Sequence, residues 1–253
     1  MGIDILNPRT DWLSHLRISN ESKLRMFCFP YAGAGPSVYK DWPQGIANSV
    51  DLIGINYPGR EALSSHAPMS NLNEIVGKVA VKILPYLDKP FVFFGHSMGA
   101  YVSFELARIL KERQGFSPEH IFLSAASAPH IENENPICAL SGKEFLRALV
   151  RLNGFPIEAM QSPELVHYTL PTLRADFTAC ETYRYQTGQP IDAPLTVYGG
   201  DNDPRVAVHE LEAWKHHSAA MFSSKVFQGG HFYLRECRDQ LLDSINQELI
   251  KAI

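Results

Sequence analysis

Phe91-Val92-Phe93-Phe94-Gly95-His96-Ser97-Met98-Gly99 carries an apolar run straight into a G-x-S-x-G turn, and the stretch from Ala100 to Leu110 that follows reads as a helix. Strand, tight turn and helix in that order form the setting of a nucleophile elbow. Large side chains beside so sharp a turn would clash, so glycine at both ends leaves the Ser97 hydroxyl exposed above the sheet. A bare G-x-S-x-G also arises by chance. The flanking strand and helix are what make Ser97 the candidate nucleophile.

Outward from this turn, the short apolar runs Leu24 to Phe29, Val50 to Ile55, Ile121 to Leu123, Leu195 to Tyr198 and Lys225 to Phe227 predict further strands, several closed by Gly or Pro. Helical periodicity fills several of the gaps. Leu72, Ile75, Val76, Val79 and Ile83 recur at three- and four-residue steps, with Ser70 as the expected N-cap and Pro85 past the end. Leu241, Leu242, Ile245 and Leu249 mark one packing face in the stretch from Leu234 to Ile250. Such alternation predicts an α/β protein with a mostly parallel central sheet and helices on both faces. It breaks once: from about 130 to 187 no strand-like run occurs, while Leu146, Leu149, Val150, Leu152, Leu165, Leu170 and Leu173 fall in helical phases. This predicts one domain over 1–253 with a helical lid inserted between the fourth and fifth of these six strands, above their carboxyl ends.

The bulk numbers narrow the class. With 253 residues, 45% hydrophobic and 20% charged, and a net charge of -4, the chain is long enough for one large core and offers no electrostatic case for nucleic acid or anionic membrane. Met1 to Asn20 interleaves Asp4, Arg9, Asp11 and Arg17 with its apolar residues, unlike a signal peptide, and no apolar stretch is long enough for a bilayer. A cytoplasmic protein is expected, acting as a monomer. Cys28, Cys138, Cys180 and Cys237 lack C-x-x-C spacing, so neither a disulfide nor a zinc site is expected.

A serine hydroxyl needs a base to take its proton and an acid to orient that base. Candidates follow in the order Ser, Asp, His. Leu195 to Tyr198 opens into Gly199-Gly200-Asp201-Asn202-Asp203-Pro204, where an elbow fold places its acid. Asp203 is favoured over Asp201 because Pro204 biases it toward an extended conformation and stiffens the loop; an Asx-turn cap is the competing role for either. His231 follows Gly229-Gly230, whose missing side chains let the loop bring an imidazole close to the serine. His96 is expected to pack, while His130, His209 and the pair His216-His217 are expected to be solvated or capping. No metal is expected, since no ligand-type spacing accompanies them. For the tetrahedral intermediate, the Met98 N–H is the expected first donor, and Ala32, in the loop Pro30-Tyr31-Ala32-Gly33-Ala34-Gly35, supplies the second.

Taken together, Phe29-Pro30-Tyr31-Ala32-Gly33, Tyr57-Pro58-Gly59-Arg60, the elbow, Leu170-Pro171-Thr172-Leu173-Arg174-Ala175-Asp176-Phe177, Asp203-Pro204 and Gly229-Gly230-His231-Phe232 resemble the type II thioesterases of nonribosomal peptide and polyketide synthesis, members of the α/β-hydrolase superfamily. The resemblance covers nearly the whole chain. One departure is the first loop, Ala32-Gly33-Ala34-Gly35, where the family often reads Ala-Gly-Gly. The resemblance implies an α/β-hydrolase fold and a hydrolase that removes stalled or misloaded acyl groups from the phosphopantetheine arm of acyl or peptidyl carrier proteins. It implies no cofactor of the enzyme's own, since phosphopantetheine arrives on the carrier. A serine acyltransferase would use the same residues, and a catalytically idle carrier-binding scaffold is the non-enzymatic alternative. Arg60 and Arg174 could each hold the arm's phosphate, although an arginine in either setting is more often part of a structural ion pair.

Overall fold

A computed structural model describes residues 11–133 and 135–252. Seven strands, β1 (Leu13–Arg17), β2 (Leu24–Phe29), β3 (Val50–Ile55), β4 (Phe91–His96), β5 (His120–Ser124), β6 (Leu195–Gly200) and β7 (Phe222–Phe227), form one sheet in the order β1-β3-β2-β4-β5-β6-β7. All neighbours pair in parallel except β1, which runs antiparallel to β3. The five inner strands are buried along their whole length, which is why they read as continuous apolar runs rather than as alternation.

β1 is the strand that the apolar runs do not announce. It lies at the sheet edge, with only Leu13 buried, so Leu13-Ser14-His15-Leu16-Arg17 lacks a core-strand signature. The first ten residues of the Met1 to Asn20 stretch lie outside the described residues. β7, at the other edge, extends three residues further toward its start than the Lys225 to Phe227 run.

Helices α1 (Leu72–Ile83), α2 (Met98–Gln114), α3 (Gly142–Arg151), α4 (Pro163–Glu181), α5 (Val208–Glu212), α6 (Tyr233–Glu236) and α7 (Arg238–Ala252) complete the described chain, with short 3-10 turns between several of them. α1 is capped by Asn71, not Ser70: the Asn71 side chain accepts from the Glu74 N–H at 3.2 Å. Its predicted apolar stripe is buried as expected. The C-terminal stretch is two helices broken at Cys237, and Leu241, Leu242, Ile245 and Leu249 of α7 are all buried. α5 and the 3-10 turn Ala213–His217 have too few apolar positions for periodicity to reveal them.

Between β5 and β6 the chain forms α3, a 3-10 turn and α4, and their side chains make a small core of their own around Phe145, Leu146, Leu149, Phe155, Ala159 and Leu173. Leu165 departs from the expected stripe and is exposed. α3 opens with a capping box between Ser141 and Glu144.

The sheet order determines where a site can form. From β2 the chain steps to β3 on one side, then crosses back to β4 on the other, so the loops leaving β2 and β4 diverge and open a crevice at their carboxyl ends. Those loops are Pro30 to Gly35 and the turn at Ser97.

Candidate active site

Ser97 has φ 55° and ψ -115°, a left-handed backbone that is costly for a residue with a side chain. Its neighbours show why the turn tolerates nothing larger than glycine. A Cβ on Gly95 would fall onto the Gly99 carbonyl, and one on Gly99 would fall onto the carbonyl of Phe29. The two absent side chains therefore let the start of α2 press against the end of β2. The Ser97 N–H donates to the Ser124 carbonyl at 2.7 Å, which fixes the turn to β5.

Three distant segments meet at the serine. Its Oγ lies 2.9 Å from His231 Nε2, and His231 Nδ1 lies 2.8 Å from Asp203 Oδ2. The Asp203 side chain is fully buried and His231 is 8% exposed, so both are screened little by solvent. The Asp203 loop follows β6, and Asp203 Oδ1 accepts the Arg205 N–H at 2.8 Å in an Asx-type turn. Asp203 therefore both faces the imidazole and braces its own loop. Asp201 points elsewhere, its Oδ1 accepting the Gly229 N–H at 2.8 Å and the Asn202 side-chain amide at 2.9 Å. That bond ties the acid loop to the histidine loop. Gly200 makes room for the approach, because a Cβ there would fall onto the Gly229 carbonyl; Gly229 itself has φ 128°.

Met98 and Ala32, the two residues expected to supply the oxyanion amides, line the same cavity as Ser97 and His231, a space of about 260 Å³. Met98 is the first residue of α2, so no carbonyl four residues earlier within the helix takes its N–H. In the loop after β2, the Gly33 N–H donates to Asp176 Oδ2 at 2.6 Å and the Ala34 N–H to the Tyr31 carbonyl at 3.0 Å. Among the described residues the Ala32 N–H has no such acceptor, so it is not spent within the loop.

The loop is held from above by α4. Asp176, with no exposed surface, receives a two-pronged bond from the Arg60 guanidinium, with Nη2 to Oδ1 at 2.7 Å and Nη1 to Oδ2 as the other prong. Arg60 also donates to the carbonyls of Ala34 (3.3 Å) and Pro58 (3.1 Å). Five residues on, at the C-terminal end of α4, Glu181 accepts from the N–H groups of Ile137 (2.8 Å) and Cys138 (2.7 Å) and pairs with Arg205 at 3.3 Å. One helix therefore grips both the loop after β2 and the loop that bears Asp203. Arg174 donates to the carbonyls of Cys138 (2.6 Å) and Leu140 (2.9 Å), with its guanidinium 4.5 Å from the Phe145 ring centroid. Arg60 is buried with both terminal nitrogens taken and is structural, whereas Arg174 is half-buried and spends Nη1 on two carbonyls. Asp176 was visible in sequence only as part of the Leu170 to Phe177 segment and Glu181 not at all, because their partners lie far away along the chain.

His96 packs, as expected. Its Nδ1 lies 2.8 Å from the Ser124 hydroxyl, and its ring sits 5.5 Å from that of His231. Burial, reinforced by His231, holds His96 well below the usual histidine range, so it stays neutral. A neutral neighbour does not oppose a positive charge forming on His231. His217 corrects the expectation of solvated or capping histidines: it is buried, and its Nε2 meets Nδ1 of the exposed His130 at 2.7 Å. Burial, with His130 beside it, lowers the His217 pKa to about 4. His209 and His216 are exposed. Among the described residues no group of three or more His, Cys, Asp or Glu side chains is arranged to hold a metal ion, and no helix is long and apolar enough to cross a membrane.

A strand-turn-helix serine, a histidine and a buried aspartate at the carboxyl edge of a mostly parallel sheet define an α/β-hydrolase. A family model described as thioesterase domain matches residues 24–249. The chain belongs to the thioesterase family, and within it is a serine hydrolase acting on thioesters. It is 37% identical over 239 residues to the gramicidin S biosynthesis protein GrsT of Aneurinibacillus migulanus, covering 94% of this chain and 93% of that protein. It is 38% identical over 242 residues to a protein of Brevibacillus parabrevis named linear gramicidin dehydrogenase LgrE, with 94% and 92% covered. Among solved structures, the type II thioesterase BorB from the borrelidin biosynthetic cluster superposes with a TM-score of 0.87 at 33% identity, covering 96% of this chain and 99% of that one.

Proposed function

We propose that this thioesterase hydrolyses acyl groups from the phosphopantetheine thiol of carrier proteins in nonribosomal peptide or polyketide synthesis, clearing arms that are stalled or wrongly loaded. The observation that carries the reading is the continuous chain from Ser97 Oγ to His231 Nε2 and from His231 Nδ1 to Asp203 Oδ2, at 2.9 and 2.8 Å, beside the amides of Met98 and Ala32. The relatives named for gramicidin S and borrelidin biosynthesis support the choice of assembly line.

In this mechanism His231 Nε2 takes the Ser97 proton as Oγ bonds to the thioester carbon, and the Met98 and Ala32 N–H groups receive the developing oxyanion. Asp203 stabilises the imidazolium. Collapse breaks the carbon–sulfur bond, and the sulfur leaves with the electron pair and takes the proton from His231; a thiol of pKa about 8.5 is a far better leaving group than an alcohol. Water then attacks the acyl-serine with His231 as base, and the free acid departs as Ser97 regains its proton. The enzyme needs no cofactor of its own for any of these steps, and we place it in the cytoplasm as a monomer beside its synthetase. The helical segment from about 130 to 187 serves as the lid, contributing Leu152, Leu173, Phe177 and Glu181 to the cavity wall.

A dehydrogenase reading, prompted by the LgrE name, fits poorly. The loop after β2 reads Gly33-Ala34-Gly35-Pro36-Ser37-Val38, lacks the third glycine of a dinucleotide fingerprint, and enters a four-residue 3-10 turn instead of a helix. The test is incubation with acyl-loaded carrier protein, with products followed by mass spectrometry. Free acid and a free carrier thiol are expected; faster acyl transfer to an added alcohol or amine than to water would overturn the hydrolase reading in favour of an acyltransferase.

A further inference from the structure

The arginines near the site sort by whether their charge is already answered. Arg60 closes on Asp176, Arg205 on Glu181, and Arg174 on two carbonyls. Arg235 is different. Like Arg174 it has no carboxylate partner within ion-pair distance among the described residues, but unlike the half-buried Arg174 it is exposed. Yet it is firmly placed: Nη2 donates to the Tyr31 hydroxyl at 2.7 Å, and the guanidinium carbon lies 4.7 Å from the Phe232 ring centroid and 5.7 Å from that of Tyr31. Two rings and a hydroxyl thus hold a guanidinium whose remaining donors face no carboxylate, an arrangement suited to planar recognition of an oxyanion.

Arg238 lies one turn further on, answered only by Asp239, the next residue in the chain, at a well-exposed position. Both arginines line a second cavity of about 300 Å³ together with Tyr31, Trp42 and Asp41. Tyr31 also lines the cavity that contains Ser97 and His231. Tyr31 is therefore the side chain shared by the arginine groove and the cavity of the candidate active site. Asp41 is the carboxylate in the groove's lining and Asp239 sits against Arg238, so the cation left without an ion-pair partner is Arg235.

We propose that this groove seats the phosphate of the phosphopantetheine arm, with Arg235 as the principal contact and Arg238 as the second, while the thioester lies over Ser97. The proposal rests on the carrier-substrate reading above and gives it a residue-level site. The substrate phosphate supplies the anion that Arg235 lacks. Pre-placement by Tyr31 and Phe232 lowers the ordering cost of binding it. Tyr31, whose hydroxyl is bound to Arg235 and whose carbonyl accepts the Ala34 N–H, links the groove to the loop that presents Ala32.

The test compares one acyl group on pantetheine 4′-phosphate with the same acyl group on pantetheine, which lacks the phosphate. Wild type is expected to show at least a tenfold higher kcat/KM for the phosphorylated thioester, carried mainly in KM and weakened by added salt. In the Arg235→Gln, Arg238→Gln double variant that preference falls to within about twofold of unity. The Arg238→Gln single variant, which leaves the Tyr31 contact in place, is expected to give an intermediate preference and guards against misfolding of the double variant. Equal efficiency on both thioesters in wild type, or a preference that survives in the double variant, would overturn the phosphate site and leave the thioesterase reading standing. Hydrolysis of neither thioester by wild type would overturn both.

Discussion

Arg60 and Asp176, 116 residues apart, form a two-pronged buried pair whose carboxylate also takes the Gly33 N–H. The loop after β2, the Tyr57-Pro58-Gly59-Arg60 turn and helix α4 thus share one anchor. Removing a single partner from such a pair strands the other charge in a dry setting, which costs on the order of 3 to 5 kcal/mol. Arg60→Ala is therefore expected to lower the unfolding midpoint sharply in a urea titration. Asp176→Asn keeps an acceptor but loses the charge and one prong. It is expected to lower kcat tenfold or more with KM changed less, because Gly33 and its neighbour Ala32 lose their fixed position while the acyl cavity stays. An unchanged kcat in a folded Asp176→Asn protein would separate this anchor from catalysis.

The strain at Ser97 predicts a stability–activity conflict. Its left-handed backbone at φ 55° costs about 1 kcal/mol or more for a residue with a Cβ, and glycine removes that cost. Ser97→Gly should abolish turnover while raising the melting temperature by a few degrees above that of Ser97→Ala. Calorimetry of the two variants against wild type measures it directly.

Asp203 and Asp201 hold different partners: Asp203 faces the imidazole of His231, Asp201 the Gly229 N–H. Asp203→Asn should reduce kcat/KM by about 10³- to 10⁴-fold, since the imidazole loses both its orientation and the partner for its charge. Asp201→Asn removes a charge but keeps an amide oxygen for the Gly229 N–H, so a loss below about tenfold is expected. Steady-state kinetics of the two variants side by side decides between them.

His217 sets an acid limit on stability. Its folded pKa of about 4 lies below the ordinary value of 6.5, so between those values the unfolded chain binds more protons than the folded one. The stabilising contribution is complete above about pH 6.5, declines as pH falls and is gone below about pH 4. His217→Gln should flatten this part of the stability-against-pH curve relative to wild type, measured by denaturant titration at pH 7, 5.5 and 4.5. An unchanged slope would assign the acid lability to other groups.

The inner sheet was legible because burial on both faces forces near-continuous apolar runs, as in Leu24 to Phe29 and Phe91 to Phe94. Edge strand β1 was not, since it needs only Leu13 in the core. The cap of α1 fell on Asn71 one residue past Ser70, a choice settled by which side chain reaches the Glu74 N–H. The serine, histidine and favoured aspartate could be named because each sits in a loop whose punctuation is local. Arg60, Asp176 and Glu181 drew attention only through resemblance or not at all, because a buried ion pair leaves no periodicity in either partner's neighbourhood. The His130–His217 contact was lost for the same reason: nothing near either residue in sequence reports the other.

Helix α4 clasps one catalytic loop through Asp176 and the other through Glu181, five residues further on. A covering element tied through its C-terminal half to two separate loops cannot be exchanged between relatives as an independent cassette. Chimaeras that swap acyl selectivity by transplanting this helix will need Arg60 and Arg205, or matched substitutes, to travel with it.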